Sequence, residues 1–407
     1  MTKVSASGAK TVEIVLSAPN VTFISAVAGA LPIIPKHIWS SVPDASKAQD
    51  LKLLVGSGAY KLGQYSRGQG SYLFTANDSY FLGKPFVRRI ETHPVNDELT
   101  ALLAGDLDAA DATGPRPETL RPFKSDASYA TLKGPNDFTL ALYWNLGRGG
   151  ALADVRFRQA CCYAIDRNDI VQRLLGGDGE PGNPGFLPPN HPFHVDVEQY
   201  AFDPTKAAKM LDDAGYPKDA NGVRTGHDGR PLAFNLLVVN TPVPPVANIV
   251  INALKALGVQ LTPTPVDQPT IDSRTTHADY DMAITNFGGL GADPDYLRQV
   301  YSSKVPKRFQ SVEGYVNPQF DALAGRQLQT LDEAARRGLV GQMQRIVAAD
   351  VPMLCLYYPT FVHVYKKAVF DQWYYTPGGF GGGVPTVFNK QGFITGKKTG
   401  TSVRTAS

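Results

Sequence analysis

His191 and His194 share the run HPFH at i, i+3 spacing, which on a helix would place two imidazoles on one face. The run sits among prolines and has no intervening Glu, so it is not the helix of a metalloprotease. His227 and Asp228 adjoin in a turn-like insert and read as a solvated surface pair. GGFGGG, residues 378–383, raises the idea of a phosphate-cradling loop. No Lys-Ser/Thr follows it and no helix pattern begins there, so it reads as a turn. There is no G-x-S-x-G elbow for a serine nucleophile. Cys161, Cys162 and Cys355 include no Cys-x-x-Cys pair and read as small buried residues. His363 stands alone on a strand pattern and reads as structural. These patterns argue against an enzyme and imply neither a metal nor a cofactor.

The composition is that of an ordinary globular protein. Of 407 residues, 43% are hydrophobic and 19% charged, a length for two or three domains. Lys plus Arg number 40 and Asp plus Glu 37, a net charge of +3 with no basic run interleaved with aromatics, which excludes a nucleic-acid partner. No segment approaches the roughly 20 consecutive apolar residues of a membrane span. The start, MTKVSASGAKTVEIVLSAP, lacks the apolar core of a signal peptide.

The elements follow from periodicity. TVEIVLSA (11–18) sets Val12, Ile14 and Leu16 on one side, the pattern of a half-buried strand. PNVTFISAVAGA predicts a short helix. Residues 56–77 predict two strands joined by a Gly-rich turn, VRRIETHPV a third strand, and NDELTALLAGDLDAADAT a helix and then a short strand. FTLALYWNL (138–146) is continuously apolar and predicts a strand buried on both faces. A helix opens on Asp154 as N-cap, with Phe157, Cys161, Ala164, Val171 and Leu175 near one stripe. In DPTKAAKMLDDAGY, Asp203 caps, Pro204 takes the first helical position and Gly215 follows the end. The strand 232–239, the helix VANIVINALKALGV and the strand QLTPTPVD form a β-α-β order, hence an α/β lobe with partly parallel strands. DYDMAITNFGG predicts a further strand. A pair of amphipathic helices ending at Pro352 and the strand MLCLYYPTFVHVYKK complete the chain before a polar tail.

Several of these runs together resemble the family 5 extracellular solute-binding proteins, the peptide-, dipeptide- and nickel-binding receptors of bacterial ABC importers. DVRFRQACCYAIDR, opening at Asp154, resembles their signature region. LVGSGAYKLGQY, HPVNDELTALLAGDLDAAD, DPTKAAKMLDDAGY and DYDMAITNFGGLGADPDYL fall in family order, so the resemblance covers residues 11–388. It implies an α/β, two-lobe periplasmic-binding-protein-like (type II) fold with mixed sheets and a hinge. On that frame, residues 56–138 and 361–390 make a partial lobe I and 139–360 make lobe II, with hinge motion near Thr139 and Phe361. Residues 1–55 are a remnant of a small extra subdomain, and 391–407 a flexible tail. The resemblance also implies that a signal segment with a lipid-attachment Cys, the first lobe-I strands and most of the extra subdomain precede TVEIVLSAP in the family and are missing here, leaving lobe I incomplete.

The function implied is that of the substrate-binding component of an ABC importer. It captures an oligopeptide or dipeptide between the lobes and hands it to membrane permease subunits. Such a protein is an extracytoplasmic monomer, in the periplasm or on the cell surface, tied to the membrane only by its lipid anchor or the permease. A receptor for a nickel chelate, a siderophore-like molecule or an oligosaccharide, and a non-transport binding protein derived from a receptor, stand as alternatives. A peptide's α-ammonium needs a carboxylate partner. The resemblance points to Asp293 and, behind it, Asp295, whose competing role is to cap the next helix. Phe287 stands where many members place a Trp. Alternation lets Tyr143 and Asn145 face the ligand while Trp144 enters the core. Residues 184–189 frame the pocket mouth or act as a rigid connector. Asp154, Arg156, Arg158, Asp166 and Arg167 read as structural anchors.

Overall fold

The structure, a computed structural model, describes residues 1–373 except 30, 49, 67, 136–137, 240–242, 289, 291–292 and 308–310, together with 391–396. The GGFGGG run and most of the expected tail lie outside the described residues. Two compact units make up the chain. The first comprises Met1–Phe23 and Pro135–Thr360, and the second Ile24–Gly134 and Phe361–Ser407. Residues 1–55, expected as one piece, thus divide between the two.

In chain order the strands are β1 (Lys3–Ala6), β2 (Val12–Val15), β3 (Tyr60–Ser66), β4 (Ser71–Ala76), β5 (Arg89–Thr92), β6 (Ala109–Thr113), β7 (Tyr129–Pro135), β8 (Thr139–Trp144), β9 (Gly179–Pro181), β10 (Ala233–Val239), β11 (Gln260–Val266), β12 (Met282–Phe287) and β13 (Met353–Lys366). In the first unit they run β11-β10-β12-β8-β13, with β9 also on β13. β10 is parallel to both β11 and β12, while β12–β8 and β8–β13 are antiparallel. The expected β-α-β unit is there, with the helix Pro245–Ala256 between β10 and β11.

β8 is the centre of this unit. Leu142 and Trp144 enter one hydrophobic cluster and Ala141 and Tyr143 the other, so both faces are covered. Each large side chain so buried contributes about 1.5–3 kcal/mol. The stripe Phe157, Cys161, Ala164, Val171 and Leu175 is buried as expected, but on two helices rather than one. Val155–Ala164 stops at Ile165, whose backbone is extended, and Asp166 caps Arg167–Leu175 by accepting from the Asp169 amide at 2.9 Å. Burial pushes the Cys162 thiol up to about 12 and that of Cys355 up to about 11, which leaves both as unreactive core residues.

β2 departs from expectation. Val12, Ile14 and Val15 are all exposed, because β2 pairs only with β1 in a two-stranded ribbon. Residues 23–28 form a π-helical turn rather than an α-helix.

In the second unit, β3, β4 and β5 form an antiparallel sheet. The last part of β13 pairs with β6, and Leu102, Leu120, Phe123, Val362 and Val364 pack there. His363 is fully buried, with its Nδ1 2.6 Å from the Asp111 carboxylate across that pair. No described helix is long and apolar enough to cross a membrane.

Candidate functional site

The first unit places two of the five expected site residues, Tyr143 and Phe287, on two neighbouring strands. Tyr143 on β8 lies opposite Ala283 on β12, and Phe287 closes β12 opposite Thr139. Tyr143 and Phe287 belong to one core cluster and are buried. The Tyr143 hydroxyl finds no partner among the described residues, and burial pushes its pKa well above the tyrosine range.

Phe186 covers this patch. Its ring meets Phe287 edge-on at 5.1 Å and Tyr301 at 5.5 Å. Its backbone has φ +78, and the Leu187 amide donates to the Gly185 carbonyl at 3.0 Å. That is a γ-turn of the rare strained hand, on a bulky residue. Such strain persists only where the surroundings enforce it. Here Asn183 Nδ2 donates to the Leu187 carbonyl at 2.6 Å, the Gly185 amide donates to Asn183 Oδ1 at 3.1 Å, and the Tyr358 hydroxyl donates to the Phe186 carbonyl at 2.7 Å. The 184–189 loop is therefore a rigid, buried connector over most of its length.

Asn145 lies just past β8 and is buried. Its Nδ2 donates to the carbonyls of Ala278 at 3.1 Å and Tyr280 at 2.8 Å, tying down the loop that enters β12. Asp293 and Asp295 sit in a network of alternating charge. Arg336 grips Asp293 with both guanidinium ends, Nη2 to Oδ1 at 2.6 Å and Nη1 to Oδ2 at 3.0 Å. Asp293 Oδ1 also accepts from the Asp295 amide at 2.8 Å. Asp295 stands at the N-cap position of the helix Tyr296–Tyr301, but its side chain makes no capping bond. It accepts instead from Arg298 at 2.7 and 2.6 Å and from Gln327 at 2.6 Å. Gln327 in turn accepts from Arg336 Nε at 3.0 Å. The side chain of Asp293 is 25% exposed and that of Asp295 only 3%. Arg336 and Gln327 were not singled out in the sequence. Their helical pattern marks a buried face, and nothing local says that the face is polar.

The signature charges have structural partners. Asp154 caps its helix and accepts from the Tyr216 hydroxyl at 3.0 Å. Arg158 and Arg167 are buried and, among the described residues, donate to backbone carbonyls, Arg158 to Leu152, Asp350 and Val351 and Arg167 to Gly182, Gln199 and Tyr200. His191 is buried beside Phe193, and His194 is bonded within its own loop.

Residues 1–308 match the family described as bacterial extracellular solute-binding proteins, family 5 Middle. The chain belongs to this family. The oligopeptide-binding protein AppA of Bacillus subtilis is 30% identical to it over 344 residues, covering 80% of this chain and 61% of AppA. The chain thus spans about three fifths of that relative's length. The solved structure of AppA in complex with a nonapeptide is similar at a TM-score of 0.75 and 24% identity, over 90% of this chain and 74% of AppA's. NikA from Brucella suis, in complex with Fe(III)-EDTA, is similar at a TM-score of 0.78 and 26% identity, over 95% of this chain and 78% of NikA's. These structures share the mixed α/β fold described above.

Proposed function

We propose that this family 5 chain is the substrate-binding component of an ABC importer, taking up an oligopeptide or dipeptide outside the cytoplasm for delivery to membrane permease subunits. The family match over residues 1–308, together with the likeness to an oligopeptide-binding protein, supports this reading. Of the five site residues, Asp293 is the one through which a ligand ammonium would be held. It is the more exposed of the two carboxylates, and among the described residues its Oδ2 accepts one bond. Asp295 adjoins it through its own amide, Phe287 ends the strand before it, and Tyr143 and Asn145 would act from the neighbouring strand. A chelated-metal solute is the second reading, favoured by the likeness to NikA.

The test incubates the protein with a pool of di- to pentapeptides and, separately, with nickel–histidine and Fe(III)-EDTA, and analyses bound and free fractions by mass spectrometry. Retained, uncut peptides support the first reading. Retained chelate without peptide supports the second. Peptides cut to new termini would overturn both.

A further inference from the structure

In the first unit, residues 191–195 are fastened to the helix Glu333–Asp350. Gln344 holds the segment twice. Its Nε2 donates to the Phe193 carbonyl at 2.6 Å, and its Oε1 accepts from the Val195 amide at 3.2 Å. Arg337 donates to the Pro192 carbonyl. The Phe193 ring meets two cations of the same helix, the guanidinium of Arg337 at 4.5 Å from its centre and that of Arg336 at 5.6 Å. Arg336 also grips Asp293. Phe193 and Asp293 therefore share one guanidinium between them.

Within this segment the buried His191 ring has one form that fits. Its Nδ1 accepts from the Phe193 amide at 3.0 Å, so the neutral ring carries its proton on Nε2. Nε2 is buried and meets no acceptor among the described residues. A proton added at Nδ1 would face the Phe193 N–H, donor against donor. The result would be a buried imidazolium with two unanswered N–H groups. The surrounding charges do not repair this. Asp293 favours the cation, but Arg336 already engages both its oxygens, and Arg337 and His194 oppose it. The ring gains its proton by leaving its place, and the Phe193 amide loses its acceptor when it does.

We propose that residues 191–195 are an acid-released clasp on the Asp293 site, with His191 as the latch. The neutral ring keeps Phe193 against Arg336 and Arg337, and the protonated ring lets the segment go. Arg336 then turns its whole charge on Asp293, and a ligand ammonium is outcompeted there. This regulation rests on the reading of Asp293 as the partner of the ligand's ammonium.

The first readout needs no ligand. Residue-resolved amide hydrogen exchange is measured at pH 7.5 and 4.5 and expressed as protection relative to the free peptide rate. Burial holds His191 at about 4 instead of 6.5. Opening that restores the ordinary value should lower protection of the Phe193 and Val195 amides on the order of 50-fold at pH 4.5. The β8 amides should keep theirs. His191→Asn retains an acceptor for the Phe193 amide and does not titrate, so its clasp amides should stay protected at both values. Unchanged protection in the wild type, or equal loss at β8, overturns the clasp even if the variant does not fold. The second readout is calorimetric binding of tetraalanine and its N-acetylated form. Free-amine binding should weaken at pH 4.5 by at least about threefold more in the wild type than in His191→Asn, and the N-acetylated form should not. Equal losses in the two proteins overturn the link to Asp293. Absence of peptide binding at both pH values counts against the peptide reading, and exchange still decides the clasp.

Discussion

Arg158 Nε donates to the carbonyl of Val351 at 2.9 Å, although 193 residues separate them in sequence. The same guanidinium takes the Asp350 carbonyl at 2.6 Å and the Leu152 carbonyl at 2.9 Å. Val351 ends the helix Glu333–Asp350 with φ +38, a strained turn for a β-branched residue, and β13 begins two residues later. Arg158 thus gathers the last carbonyls of one helix and fixes where β13 starts. Arg158→Ala should lower stability by about 3 kcal/mol, since three buried acceptors lose a charged donor at once. Arg158→Lys should recover less than half, because an ammonium cannot span the same fork. Urea midpoints of the two variants check this.

Gly182 and Gly338 should respond oppositely to alanine. A Cβ on Gly182 would stand 1.9 Å from the Cys355 carbonyl oxygen and 2.2 Å from its carbon, where β13 crosses. Both are backbone atoms of a central strand and cannot yield. Gly182→Ala should cost more than about 4 kcal/mol or prevent folding. Gly338 lies inside the helix Glu333–Asp350 with nothing within 4 Å of the added atom. Gly338→Ala should stabilise by up to about 1 kcal/mol through helix propensity. Thermal midpoints and soluble yield give the comparison.

His191 makes stability depend on acid. Burial pulls its pKa from 6.5 down to about 4, with Asp293 opposing the shift and His194 and Arg337 adding to it. Between these values the unfolded chain binds a proton that the folded chain refuses. The contribution of the neutral ring is therefore complete above pH 6.5 and is lost as pH falls towards 4, about 3 kcal/mol in all. His191 Nδ1 accepts from the Phe193 amide at 3.0 Å, a bond to the residue two ahead that Asn can reproduce. His191→Asn should flatten stability against pH between 4 and 6.5. An unchanged slope in urea titrations at pH 4.5 and 7.5 would refute the assignment.

The strand FTLALYWNL was legible as buried because five successive apolar residues, 140–144, leave no polar face. The same fact was not carried through to Tyr143. Alternation was read as pointing Tyr143 outward and Trp144 inward, but a central strand covered on both sides buries the two on opposite faces. Helix caps at Asp154 and Asp203 were legible because their signals are local. Asp295 has the same local signal and does not cap, because Gln327 and Arg298 claim both its oxygens. Arg298 is a local partner at i+3, but Gln327 comes from another helix, and no local pattern reveals it. The helices Pro117–Ser125 and Gln268–Thr276 went unread, the first carrying an internal Pro and the second having almost no apolar stripe.

The bond between Asp293 and Arg336 sets the test of the ligand site. Arg336 is nearly buried at 6% side-chain exposure and Asp293 is not, at 25%. Removing the carboxylate strands a buried cation, so Asp293→Asn should cost about 2–4 kcal/mol. Removing the cation leaves a carboxylate that water reaches, so Arg336→Met should cost less, about 1–2 kcal/mol. The double variant should recover part of the sum, with a coupling of about 1–3 kcal/mol. Binding separates the structural role from the ligand role. If Asp293 holds a peptide ammonium, Arg336 competes for the same oxygens. Arg336→Met should then tighten free-amine peptides and leave their N-acetylated forms unchanged, while Asp293→Asn weakens the free-amine forms selectively. Equal responses of the two peptide classes in calorimetric titrations would confine Asp293 to the network with Arg336, Gln327 and Asp295.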